Sequence, residues 1–284
     1  MDEHRVERFV PVWQELPPAR RAGLLHHLTE ASESNVDLNY RAPGMLALED
    51  PVAAVRKAAI ELLWEDETRE LLQKLLLLTQ MDQALSVRSE AAGALGRFAL
   101  AAELGKLDRV QGAAVKEALI DLWQNRREDF ELRRRALESL ANSSDVVVPE
   151  AIEEAWQSED VDLRASALYA MGRSCDQRWE EIVLDALRTD DPAMRYEAVR
   201  ASGELEIIAA VPVLGEMLED QDVEICEAAI QALGEIGGSR ALSLLEKLAT
   251  VAEDDSDENR LEAVEEALEN ASSANLDLNF GLEN

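Results

Sequence analysis

The chain has 284 residues, 47% of them hydrophobic and 4% aromatic, and its 59 acidic side chains against 28 basic ones give a formal net charge of −31 at pH 7. A field of that sign repels the phosphate backbone of nucleic acids and the anionic face of membranes, so neither is an expected partner. The apolar residues suffice for a sizeable core, and their bias toward Ala and Leu favours close-packed helices over sheets.

Taken in order, residues 2–32 predict two short helices split by Leu16-Pro17-Pro18, since proline suits a first helical turn and stops the helix before it. Residues 33–40 are polar and turn-like. A first helix follows over about 41–48, then a turn at Glu49-Asp50-Pro51, then a second helix carrying Val55, Arg56, Ala59, Ile60 and Leu63. The pattern returns with a helix over about 68–79, a turn at Asp82, and Val87, Arg88, Ala91, Ala92, Leu95 and Gly96. Between Arg88 and Arg133 lie extra residues, placed near 97–110 and read as a longer helix and loop, before a helix over 113–123. Insertions of this kind fall on one face of a repeat array and often touch partners.

From there the period is strict. Leu132-Arg133, Leu163-Arg164, Met194-Arg195 and Ile225-Cys226 recur every 31 residues, with Cys in the last arginine slot. A fixed period in this range marks a stacked repeat array, a quasi-linear domain whatever its length. Helix pairs are predicted over 149–172, 178–203, 207–234 and 239–268, the last only approximating the pattern through Arg260, Ala263, Ala267 and Leu268. The expected organisation is an N-terminal helical cap (1–40), a repeat array (41–252) and an acidic C-terminal cap helix with a polar tail (253–284).

Numbered from the arginine, position −1 is always apolar, and +3, +4 and mostly +7 are apolar too, which is the stripe of one buried helix face. The small residue at +3 lets neighbouring helices approach, and glycine at +8 (Gly96, Gly172, Gly203, Gly234) reads as a helix-end signal. Aspartate at −4 (Asp129, Asp160, Asp191, Asp222) is placed to cap a helix, and the arginine to bond such turns in its own or the adjacent unit. This ladder reads as structural rather than catalytic.

The runs Asp50-Pro51 through Arg56, Ser86-Val87-Arg88 through Ala94-Leu95-Gly96, and Asp191-Pro192 through Arg195 resemble HEAT repeats, over about residues 41–268. The short period is similar to the bilin-lyase-like subclass. The resemblance implies an all-α HEAT-like solenoid of about seven antiparallel helix pairs, with the second helices lining a concave face. Tetratricopeptide and ankyrin signatures are absent.

If the second helices line a groove, positions +1, +2, +5 and +9 face it. They carry Arg134, Arg135, Glu138, Tyr169, Arg173, Tyr196, Glu197 and Arg200. Arg and Tyr are enriched at interface hot spots, so Arg134, Arg135, Tyr169, Arg173, Tyr196 and Arg200 are the candidate partner-binding residues, suited to an acidic peptide or the acidic tail; the bland alternative is stacking and ion pairing between repeats. Asn275-Leu276-Asp277-Leu278-Asn279-Phe280 echoes Asn35-Val36-Asp37-Leu38-Asn39-Tyr40, which makes Leu276, Leu278 and Phe280 a candidate docking tail, or else one of two similar caps.

No catalytic, metal or cofactor constellation is expected. His26 and His27 are adjacent on a helix and face apart, and HEAT-like di-iron hydroxylases carry His-Glu pairs that this chain lacks. Cys175 and Cys226 read as packing residues, in a reducing compartment. No apolar leader is visible at Met1-Asp2-Glu3-His4, and a cytoplasmic location is expected. The expected function is a non-catalytic protein-binding scaffold with a protein or peptide partner, self-association being possible. The alternatives are a bilin-lyase-like subunit that attaches a chromophore to a protein, or a structural spacer in a larger assembly.

Overall fold

The second helices start where the aspartates predict. Asp129, Asp160, Asp191 and Asp222 are N-caps whose carboxylates accept the backbone N–H of Glu131, Leu163, Met194 and Glu224 at 3.0–3.1 Å. Asp108 does the same for Val110 and Gln111, and starts a helix four residues earlier than apolar spacing alone places it. Each cap satisfies donors that the first helical turn leaves without an intrahelical partner.

The structure, a computed structural model, describes residues 3–33, 40–255 and 257–280. Two helices lead in, α1 (Glu3–Glu15) and α2 (Pro18–Glu33). Seven pairs follow: α3 (Arg41–Ala47) with α4 (Ala53–Leu62), α5 (Arg69–Met81) with α6 (Leu85–Glu103), α7 (Arg109–Gln124) with α8 (Phe130–Leu140), α9 (Val147–Trp156) with α10 (Val161–Arg173), α11 (Glu180–Ala186) with α12 (Pro192–Glu204), α13 (Val211–Met217) with α14 (Val223–Ile236), and α15 (Gly238–Asp255) with α16 (Glu258–Phe280). Single 3₁₀ turns at Gln177–Trp179 and Ile208–Ala210 precede α11 and α13. The described residues contain no strand, and the fold is an all-α solenoid of helix pairs.

The helices gather into two compact units, Met1–Asp145 and Val146–Asn284. In the first, α2, α4, α6 and α8 pack in sequence, with α3, α5 and α7 against them. In the second, α10, α12, α14 and α16 form the equivalent row, backed by α9, α11, α13 and α15. The extra residues near 97–110 lengthen α6 to 19 residues and form the turn at Gly105 (φ 70°) that leads to α7.

The register sorts the side chains as its period requires. Val55, Val87, Leu132, Leu163, Met194 and Ile225 at position −1 are buried. The alanines at +3 (59, 91, 136, 167, 198 and 229) are all 0% exposed. At +7 the series runs Leu63, Leu95, Leu140, Met171, Ser202 and Leu233, and the one polar member, Ser202, donates its hydroxyl to Ala198 O at 2.8 Å. That internal bond is what lets a serine replace a core leucine.

The glycines at +8 do a different job from the one expected. Gly172, Gly203 and Gly234 lie inside α10, α12 and α14, where a methyl group would stand 2.9 Å from the Cα atoms of Ala201, Ala232 and Ala267 on the next helix. They are the points of closest helix approach. The helix ends lie just beyond: Cys175 (φ 50°) and Glu206 (φ 51°) occupy the C′ position of α10 and α12 with positive φ, and Gly237 (φ 63°) is the C-cap of α14, each 11 residues after its slot. At α12, Glu206 N–H donates to Gly203 O at 2.8 Å and Ile207 N–H to Ser202 O at 2.9 Å, the double bond of a Schellman end.

The slot arginines tie turns together. Arg56, Arg164 and Arg195 each donate from Nη1 to the carbonyl six residues earlier, Asp50, Ser158 and Thr189, at 2.8, 2.8 and 3.1 Å. Arg56 also grips both carboxylate oxygens of Asp82 at 2.6 and 2.7 Å, Arg88 reaches Glu128 at 2.7 Å, and Arg195 lies 3.9 Å from Asp220. Arg56, Arg88 and Arg195 thus link their own pair to the turn of the following pair, while Arg164 bonds its own turn.

These contacts separate two glycine substitutions. Gly203→Ala should destabilise by about 1–3 kcal/mol through overpacking, despite alanine's better helix propensity. Gly93→Ala, whose methyl would meet nothing nearer than Arg135 Cδ at 3.9 Å, should stabilise by about 0.5–1 kcal/mol. Chemical denaturation of both against the parent decides, and effects of equal sign would remove the close-approach argument.

Candidate functional site

Helix pitch and the 31-residue period place positions +1, +5 and +9 of consecutive second helices side by side. In the second unit this stacks Tyr169 and Arg173 of α10, Tyr196, Glu197, Arg200 and Glu204 of α12, and Gln231 and Glu235 of α14 on one face. The Arg200 guanidinium lies 5.4 Å from the centre of the Tyr169 ring and 5.9 Å from that of Tyr196. A cation at that range over an aromatic face gains roughly 0.5–1 kcal/mol where solvent has access.

The same guanidinium stands 3.5 Å from Glu197 and 3.6 Å from Glu204, and Arg173 stands 3.7 Å from Glu204. Tyr169, Arg173, Tyr196 and Arg200 are thus brought together as expected, but as a charge-balanced set rather than a bare basic strip. A small cavity of about 80 Å³ opens between Arg200, Glu204, Ala228, Gln231, Ala232 and Glu235.

Burial raises the pKa of Glu204 against the opposing pull of Arg173 and Arg200. Glu235 is raised as well, by desolvation first and then by the neighbouring Glu204 carboxylate. Register reasoning had all it needed to find this pair, since Glu204 and Glu235 occupy the same +9 position as Arg173. Gly172 and Gly203 let the carboxylates of Glu204 and Glu235 lie over the backbone of the preceding helix, which half-buries the position.

Arg134 and Arg135 lie on α8 in the first unit. Arg134 pairs with Glu131 at 2.8 Å and Glu138 at 3.1 Å, and Arg135 with the same two residues at 3.3 and 3.1 Å. They form a two-by-two network along one helix face at i, i+3 and i, i+4 spacing. Leu276, Leu278 and Phe280 fall within the backbone of α16, and their side chains lie outside the described residues, as does the echoing segment 35–39. Cys175 is exposed and Cys226 buried. Trp13, Trp123 and Trp179 are core residues, while Trp64 is 44% exposed beside a cleft of about 310 Å³ lined by Tyr40, Arg41 and Asp66. No helix among the described residues is long and apolar enough to cross a membrane.

Residues 180–269 match the family model for HEAT repeats. No curated protein sequence matches the chain significantly. Among solved structures, the complex of CpcE and CpcF of the phycocyanin lyase from Nostoc sp. is 17% identical, with a TM-score of 0.53, and covers 82% of this chain and 95% of that one. An engineered protein is 22% identical over 71% of this chain and 96% of its own (TM-score 0.46). Human deoxyhypusine hydroxylase, solved with glycerol, is 19% identical over 95% and 97% (TM-score 0.40). The first likeness is one of fold.

The raised carboxylates give a sign for pH. A raised folded-state pKa means that the folded chain holds the proton more tightly than the unfolded one, so the associated stability is present below the unfolded value and lost as pH rises through the folded one. Glu235→Gln should therefore raise the denaturation midpoint at pH 7 and leave it unchanged below about pH 4. Melts at both pH values check this, and a midpoint lowered at pH 7 would mean that the carboxylate is favourably paired.

Proposed function

We propose that this HEAT-repeat protein is a non-catalytic adaptor, which binds a protein partner along the second-helix face of its second unit. The observation that carries the reading is the Tyr169–Arg200–Tyr196 stack, held between two carboxylates on a row of rigid helices. Rigid aromatic and arginine side chains are the groups that most often supply interface energy, because they offer large contact area at small entropic cost. Repeat arrays in general present such faces to partners. With a net charge of −31, the chain favours a basic partner, and its association should slow as salt rises.

A second reading is a bilin-lyase-like subunit acting with a partner protein, which rests on the short repeat period. Colour developing on an acceptor protein during co-expression with a bilin would favour it over the adaptor.

The test is affinity capture from the native lysate with the intact chain and with Tyr169→Ala plus Tyr196→Ala, the fold of both being checked by circular dichroism. A stoichiometric partner whose retention falls about tenfold or more in the double variant, equivalent to about 1.4 kcal/mol, supports the face as the contact. Undiminished capture would move the contact elsewhere. Colour without stable capture would replace the adaptor by the lyase reading.

A further inference from the structure

In the fourth 31-residue unit the arginine slot holds Cys226. Its thiol is buried and lies 3.1 Å from Leu218 O, too short to bridge to the following turn. Arg260, from α16, reaches back instead: its Nη2 donates to Leu218 O at 2.9 Å and sits 3.1 Å from Cys226 Sγ. The carbonyl that Arg260 takes lies eight residues before Cys226, not six as for Arg56, Arg164 and Arg195, so this substitute does not reproduce the slot. A cleft of about 340 Å³ remains between α14 and α16, lined by Asp220, Val223, Cys226, Glu227, Ile230 and Asp257 together with Arg260 and Ala263.

The lining has two parts. Val223, Ile230 and Ala263 supply an apolar wall, and Val223 is 66% exposed at its edge. Asp220, Glu227 and Asp257 supply three carboxylates against the single Arg260 cation. Asp220 spends one oxygen on the Asp222 N–H at 2.9 Å and has Arg195 only at 3.9 Å. Asp257 accepts the backbone N–H of Arg260 at 3.2 Å, and Glu227 lines the cleft beside them. An apolar stem with a delocalised cation at its tip suits both parts, which is the make-up of arginine.

The chain itself shows what the position accepts. In the equivalent place of earlier pairs a guanidinium lies between turns, gripping Asp82 bidentately from Arg56 and approaching Asp220 from Arg195. Planar forks of this kind match carboxylates better than a lysine ammonium does. We infer that the cleft at Cys226 is a receptor for an arginine side chain of a basic partner, which inserts as the missing rung of the ladder. The volume lies at the low end of ligand pockets, about 300–1,000 Å³, and suits one side chain. The inference rests on the adaptor reading for its biological occupant, and adds the chemistry that the partner must carry.

The test uses isolated protein, so its failure is separate from that of the adaptor reading. In a Cys175→Ser background, iodoacetamide alkylation of Cys226 is followed with acetyl-Gly-Arg-Gly-amide as the probe, and with its lysine and citrulline counterparts. The arginine peptide should slow alkylation about threefold at twice its Kd, as simple occupancy requires, with less protection from lysine and none from citrulline. Glu227→Gln plus Asp220→Asn should weaken that protection, and Cys226→Arg should fill the cleft and raise the melting temperature. No protection by the arginine peptide, or equal protection by citrulline, overturns the inference. So does protection that survives the loss of both carboxylates. The adaptor reading is decided separately, by the capture experiment.

Discussion

In the second unit the backbones of α10, α12, α14 and α16 meet so closely that Gly172, Gly203 and Gly234 have no room for a Cβ atom. Everything else in the unit follows from that approach. It needs a small residue opposite each glycine, met by Ala201, Ala232 and Ala267, because a larger side chain there would push the row apart. It brings +5 and +9 side chains of neighbouring helices within reach, so that Arg200 stands over tyrosines of two helices and Arg173 meets a glutamate from the next one. It also draws Glu204 and Glu235 into partial burial, which raises their pKa values. The candidate interface is therefore a product of packing as much as of composition.

The ends of the helices are held by a second, independent device. Aspartate caps satisfy the opening N–H groups, and the slot arginines satisfy turn carbonyls, with Arg56, Arg88 and Arg195 also reaching a carboxylate of the following pair. In a chain with so many carboxylates, each of these contacts removes repulsion as well as adding a hydrogen bond. At Cys226 the device is interrupted within the stack, and the open space left there carries more carboxylate than guanidinium. The Tyr169–Arg200–Tyr196 stack and the cleft at Cys226, the two proposed partner contacts, both lie in the second unit.

Much of this was legible in the residues. The 31-residue period, the buried stripe at −1, +3, +4 and +7, and the helix starts at Asp129, Asp160, Asp191 and Asp222 all appear in the structure where spacing places them, whereas the contact of Arg200 with Tyr169 on the neighbouring helix does not follow from spacing within one helix. The glycines at +8 were legible as special but not as to why. A helix end and a close contact both select glycine, and only the positive φ at Cys175, Glu206 and Gly237 tells which residues end the helices.

The sequence by itself determined the secondary structure, the stacking period and which side of each helix is buried. Those properties depend on residues within a few positions of one another and on the apolar pattern. Tertiary structure alone decided which carboxylate each arginine takes, how deeply Glu204 is buried, and that the cysteine at 226 leaves a cleft. These depend on the distance between helices whose contacting residues stand about one repeat apart. That distance is set by the bulk of the side chains between them, a quantity no local pattern contains.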